Sequence, residues 1–150
     1  MSVKNLRKMT NMPVHLCAQA WKDSGEDLDK AVEMLKTKGA DKIQKLQDRE
    51  TKAGFVGVYR HHDGRSVGMV ELLCETDFVA NTAEFRELAN DFAMQVSAED
   101  PVPSPGGFLE LDFWVEDGKR TTGEALTELS VKTGEKITLG KMFSHKVCSQ

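Results

Sequence analysis

The chain is predicted to be α+β: a small helical module at the N-terminus, then a three-stranded antiparallel sheet with helices on one face. Three observations predict it. Apolar residues recur at helical spacing up to residue 40. From Phe55 to Cys74 the period shortens to two around an Asp63-Gly64 turn. Helical spacing then returns at Phe85–Val96, before a last alternating run that ends at Val147. Strands grouped in this way, with helices following them, pack the helices on one side of a sheet.

The module begins with Leu6 and Met9 on a short first helix. Thr10-Asn11-Met12-Pro13 is a turn, with Pro13 suited to the first position of a second helix. Leu16, Cys17, Ala20 and Trp21 give that helix one apolar face, and Ser24-Gly25 ends it. Asp27 is the expected cap of a third helix, whose stripe is Leu28, Ala31, Val32 and Leu35 and which Gly39 stops. Three helices this short bury little surface, so the module suits docking. Residues 41–54 are charged, with Ile43 and Leu46 as anchors, and read as a helical linker. The expected division is therefore 1–40, 41–54 and 55–150.

In the larger part, Asp63-Gly64 predicts a type I′ hairpin turn with positive φ at both central residues. Asn81 with Glu84 has capping-box spacing ahead of Phe85, Leu88, Ala89, Phe92, Ala93 and Val96. Residues 100–107, with three prolines and two glycines, form a crossover loop, and Gly106-Gly107 opens no helix. An irregular or extended segment follows. Its apolar cluster, Phe108, Leu111, Phe113 and Trp114, points to a dimer or partner interface. Thr121 and Glu124 cap a further helix that Gly134 ends, and Ile137, Leu139, Phe143, His145 and Val147 alternate along the last strand.

The net charge of −4, from 20 basic and 24 acidic residues, argues against direct nucleic-acid binding. Three widely spaced cysteines fit neither a disulfide framework nor a metal site and suit a reducing cytoplasm. No leader or membrane-spanning segment is expected. Phosphate-binding glycine motifs are absent. His61-His62-Asp63 reads as a polar hairpin tip, since neighbouring strand residues point to opposite faces. A Cys74–His145 nucleophile would need their strands to pair and the thiol to be activated. The chain is expected to be no enzyme and to need no metal or cofactor.

One short stretch fits none of these roles. In Cys74-Glu75-Thr76-Asp77-Phe78-Val79-Ala80 an acid and an aromatic ring follow directly on an apolar strand. From the residues alone two readings stand: Phe78 staples the following helix by packing near Phe85 or Thr82, or it inserts into a partner.

That stretch resembles the signature of elongation factor Ts, the guanine-nucleotide exchange factor of elongation factor Tu. The similarity extends to Val67–Leu72, to Phe85–Gln95, to Leu6–Thr10 and Asp29–Leu35 at the N-terminus, and to Gly134–Phe143. The resemblance implies a UBA-like three-helix domain at 1–40 and an α+β core at 55–150. It implies a cytoplasmic translation factor that binds elongation factor Tu in its GDP-bound and nucleotide-free states. Thr76, Asp77, Phe78 and Val79 would enter near the magnesium and phosphate site and dislodge the ion. The family's usual Gly-Ala-Gly-Met-Met-Asp turn is replaced by Asn11-Met12-Pro13-Val14-His15-Leu16, so Val14, His15 and Leu16 would dock the N-terminal module. Short members of the family form homodimers, which makes a second copy the other expected partner. The alternative is a protein that tethers the GTPase without exchanging its nucleotide.

Overall fold

A computed structural model describes residues 2–10, 12–117 and 119–148. They divide into two compact units, Met1–Asp48 with Thr127–Gly134, and Arg49–Leu126 with Glu135–Gln150.

The first unit holds α1 (Val3–Thr10), α2 (Val14–Asp23) and α3 (Leu28–Leu46). Leu6, Met12, Cys17, Ala20, Ala31 and Leu35 form its core, joined by Val131 from the 127–134 segment. Asp27 caps α3 as expected, its carboxylate accepting from the Lys30 amide at 3.2 Å. Two expectations are corrected. Pro13 is the cap residue of α2, with ψ 144°, and the helix starts one residue later; Asn11 of the preceding turn lies outside the described residues. Gly39 does not stop α3, which continues to Leu46. Gly39 is buried in mid-helix, where a Cβ would stand in ordinary contact with Met12 and Val131. Ile43 packs on the same core one turn further on and Leu46 is buried, which offsets the helix propensity that glycine forfeits.

The second unit is built on β1 (Ala53–Arg60), β2 (Ser66–Cys74) and β3 (Thr138–Lys146), antiparallel in that spatial order. Gly57 pairs with Val70, and Tyr59 with Gly68. A 14-residue helix, α5 (Ala83–Val96), crosses one face at these glycines. A Cβ on Gly57 would collide with the Ala89 carbonyl. One on Gly68 would collide with the Ala93 carbonyl and stand 2.7 Å from the Ser97 amide nitrogen. Helix and sheet backbones are thus in direct contact. The hairpin turn departs from type I′: only Gly64 has positive φ, at 71°, and its amide donates to the His61 carbonyl at 2.8 Å. A five-residue loop can place its turn at His61–Gly64 and needs one left-handed residue, not two.

The Pro-rich crossover contains a helix that the glycines concealed. Ser104 caps α6 (Pro105–Leu109) by accepting from the Gly107 amide at 3.1 Å, with Pro105 in the first turn. α7 (Thr122–Thr133) follows, and its Thr121/Glu124 capping box forms as expected. The apolar cluster that starts in α6 is largely not an exposed interface. Phe108 and Phe113 are buried, each edge-on to Phe92 of α5 with ring centroids 5.3 and 5.6 Å away. Their apolar surface completes this unit's own core, while Leu111 is half-buried and Trp114 remains exposed. Buried Gln95 pins the segment: its amide donates to the Asp112 carbonyl at 2.8 Å and its carbonyl accepts from the Trp114 amide at 3.2 Å.

Two outcomes follow for stability. Gly68→Val forces side-chain atoms between α5 and β2, which costs about 2 kcal/mol of overpacking and lowers the thermal midpoint by roughly 5 °C. An unchanged melting curve by circular dichroism would contradict the direct backbone contact. Gln95→Leu strands a buried donor and acceptor at a cost of about 2 kcal/mol, read as a lower denaturant midpoint with an unchanged slope.

Candidate partner-binding site

β2 ends at buried Cys74, and the chain turns at once into α4 (Asp77–Ala80), a single helical turn. Thr76 adopts the extended cap conformation, φ −128° and ψ 152°, and its hydroxyl oxygen accepts from the Val79 amide at 3.3 Å. One turn of helix can bury only one side. Val79 and Ala80 take that side, which leaves Asp77 exposed and Phe78 84% exposed. Phe85 is fully buried without Phe78's help, so the ring staples nothing. A core role for Phe78 is excluded.

The cap of α5 lies one residue beyond its expected place. Thr82, not Asn81, accepts from the Phe85 amide, at 3.3 Å. Asn81 closes α4 instead, and its side-chain carbonyl accepts from Arg86 at 2.7 Å. The Arg86 guanidinium in turn lies 5.1 Å from the centre of the Phe55 ring.

Two acids from distant parts of the sequence hold the entrance to this turn. Glu135 Oε1 accepts from the amides of Glu75 and Thr76 at 3.1 and 3.0 Å, and its Oε2 accepts the Thr76 hydroxyl at 2.7 Å. Glu75 reciprocates, accepting from the Lys136 amide at 2.6 Å while pairing with Arg49 at 3.4 Å. No role for Glu135 is legible in the sequence. Its only local signal is its place after the helix-ending Gly134, whose φ is 73°.

Cys74 is inert by its surroundings. Burial pushes its thiol up, and the Glu135 and Asp77 carboxylates push the same way. His145 pairs with Val67, at the opposite end of β2 from Cys74, so no Cys-His couple forms. At the hairpin tip, the Tyr59 hydroxyl and His61 Nδ1 are 3.1 Å apart and the two histidine rings lie 4.1 Å apart. Asp63 accepts from the Arg65 amide at 2.9 Å, which lowers its pKa below the usual carboxylate value. Trp114 and the tip residues line an open cavity of about 510 Å³. Among the described residues no cluster of His, Cys, Asp and Glu could hold a metal ion, and no helix is long and apolar enough to cross a membrane.

The other expected contact residues lie in the first unit. Val14 and His15 are exposed on the first turn of α2, and Leu16 packs partly against that unit's core. Two exposed side chains beside a proline-set helix start leave a small surface free for contact.

The family model described as Elongation factor TS matches residues 75–150, from Glu75 at the entrance to the turn onward. A protein named Elongation factor Ts from Thermotoga petrophila is 45% identical over 100 residues, covering 67% of this chain and 50% of that protein. Those of the same name from Aquifex aeolicus and Thermobifida fusca are 37% and 39% identical, over 93% and 91% of this chain and 49% and 48% of theirs. The chain thus spans about half the length of the curated relatives it matches. Matches that cover both the N-terminal helices and the sheet with its signature turn lead to one conclusion: the chain belongs to the elongation factor Ts family.

Proposed function

We propose that the protein is a translation elongation factor that promotes GDP release from elongation factor Tu in the cytoplasm, with the Asp77-Phe78 turn as its wedge. The observation that carries this reading is a large ring, 84% exposed, on a turn fixed at both ends and idle in the core. Thr76 and Val79 hold the turn, and Asp77 and Phe78 are its reach toward the magnesium and phosphate site of the GTPase. A factor that binds the nucleotide-free state more tightly than the GDP state weakens GDP affinity by the same ratio. Dislodging the ion that neutralises the phosphates loosens the nucleotide further. No covalent chemistry is asked of this chain, and no cofactor. Val14, His15 and Leu16 supply a second contact through the helical module.

A specific observation favours a second copy as a further partner. Val58, Met69 and Phe143 are direct cross-strand partners, so they share one face of the sheet, and all three are exposed. The opposite face is the one α5 covers. An apolar row of this kind, central on a sheet, is suited to burial against another sheet.

Stopped-flow release of fluorescent GDP from elongation factor Tu tests the first reading. Wild-type protein accelerates release, and Phe78→Ala loses about tenfold of that rate, roughly 1.4 kcal/mol, without a change in melting temperature. Full exchange activity in Phe78→Ala would sink the wedge. Binding without faster release would select a tethering role, with Val14 and His15 as its contacts. Sedimentation equilibrium tests the second copy: Phe143→Glu converts a dimer to a monomer, whereas a monomeric wild-type protein would refute it.

A further inference from the structure

We propose that Glu135 is the positioning residue of the wedge: its single carboxylate gathers three donors from Glu75 and Thr76 and sets the orientation in which Phe78 is presented. The functional consequence rests on the exchange reading above, whereas the geometry does not. Oε1 collects two consecutive backbone amides and Oε2 takes the Thr76 hydroxyl hydrogen. Hydrogen bonds to a carboxylate are short and about twice as strong as neutral ones.

The hydroxyl is the coupling element. Because Thr76 donates its only hydroxyl hydrogen to Glu135, its lone pairs remain for the Val79 amide, which is the cap bond of α4. Glu135 therefore selects the hydroxyl rotamer that caps the turn. A four-residue helix has no stability of its own. With only Val79 and Ala80 buried, the direction of Asp77 and Phe78 follows from that cap. The reciprocal bond from the Lys136 amide to Glu75, with the Arg49 ion pair behind it, keeps the two backbone segments from sliding past each other.

Substitutions separate these contributions. Alanine at 135 removes both acceptor oxygens and with them all three hydrogen bonds. Glutamine keeps one oxygen for the amides but turns an N–H₂ toward the Thr76 hydroxyl, which then loses its acceptor. Aspartate is one methylene too short to reach both groups.

Amide hydrogen exchange on the full chain tests the clamp without any GTPase. In Glu135→Ala the Val79 and Ala80 amides exchange on the order of tenfold faster, while those of α5 and β2 keep their protection. Glu135→Gln shows a smaller change of the same kind and serves if the alanine variant does not fold. Unchanged exchange at Val79 and Ala80 in a folded variant would overturn the proposal. GDP release then reads the consequence: the maximal rate falls on the order of tenfold, with the half-saturating concentration unaltered. In a Phe78→Ala background Glu135→Ala adds no further loss, because an absent ring cannot be misplaced. An additive loss would also overturn the positioning role. If wild-type protein releases no GDP, the exchange reading fails and the hydrogen-exchange result still decides the clamp.

Discussion

The contact on which the second unit depends is backbone against backbone, where α5 crosses β1 and β2 at Gly57 and Gly68. Side chains at those positions would hold the helix off the sheet. Without them, carbonyls of Ala89 and Ala93 sit directly over the strands, and the helix has almost no freedom to slide. The position of α5 fixes that of Thr82, and Thr82 fixes the end of α4. The exposed ring is thus referenced to the sheet through a chain of short, stiff steps. Phe92, from the same helix, then gathers Phe108 and Phe113 and folds the crossover segment onto the unit.

Electrostatics at the signature turn follows a different logic. Two carboxylates would ordinarily repel, yet each is occupied by donors: Glu135 accepts from the Glu75 and Thr76 amides, and Glu75 from the Lys136 amide and the Arg49 guanidinium. The local excess of negative charge falls on Cys74, already disfavoured as a thiolate by burial. A potential nucleophile is kept silent by the same groups that shape the turn. Asp77 and Phe78 are left as the outward chemistry, a charge and a ring on a support that does not need them.

Much of this was legible from residue spacing. The order of elements, the apolar face of α5 and the Thr121/Glu124 box all follow from local signals, and local signals are what a sequence displays, whereas the residues alone leave Phe78 between a helix staple and insertion into a partner. Some misreadings are local, one-residue shifts of a cap or an overlooked Ser-Pro helix start; the others come from tertiary packing. Gly39 resembles a helix stop, but it is a contact point for Met12 and Val131. Gly106-Gly107 looked incompatible with a helix, until Ser104 and Pro105 supplied its start. Phe108 and Phe113 looked like an interface because nothing nearby in sequence could cover them; their cover, Phe92, lies on the preceding helix. Glu135 was invisible for the same reason, since its three partners stand about sixty residues earlier and no periodicity reaches that far.

That separation has a consequence for the order of events during synthesis. Residues 75–80 leave the ribosome well before Glu135, and until it arrives the Thr76 hydroxyl and the Glu75 and Thr76 amides are left to water in place of the Glu135 carboxylate. The turn is therefore among the last parts of the unit that can be completed, even though its own residues lie near the middle of the chain. A nascent chain carries the ring but not its bearing. With the role proposed for Glu135, the direction of Phe78 becomes defined only once the segment that follows α7 has packed against residues 75–76.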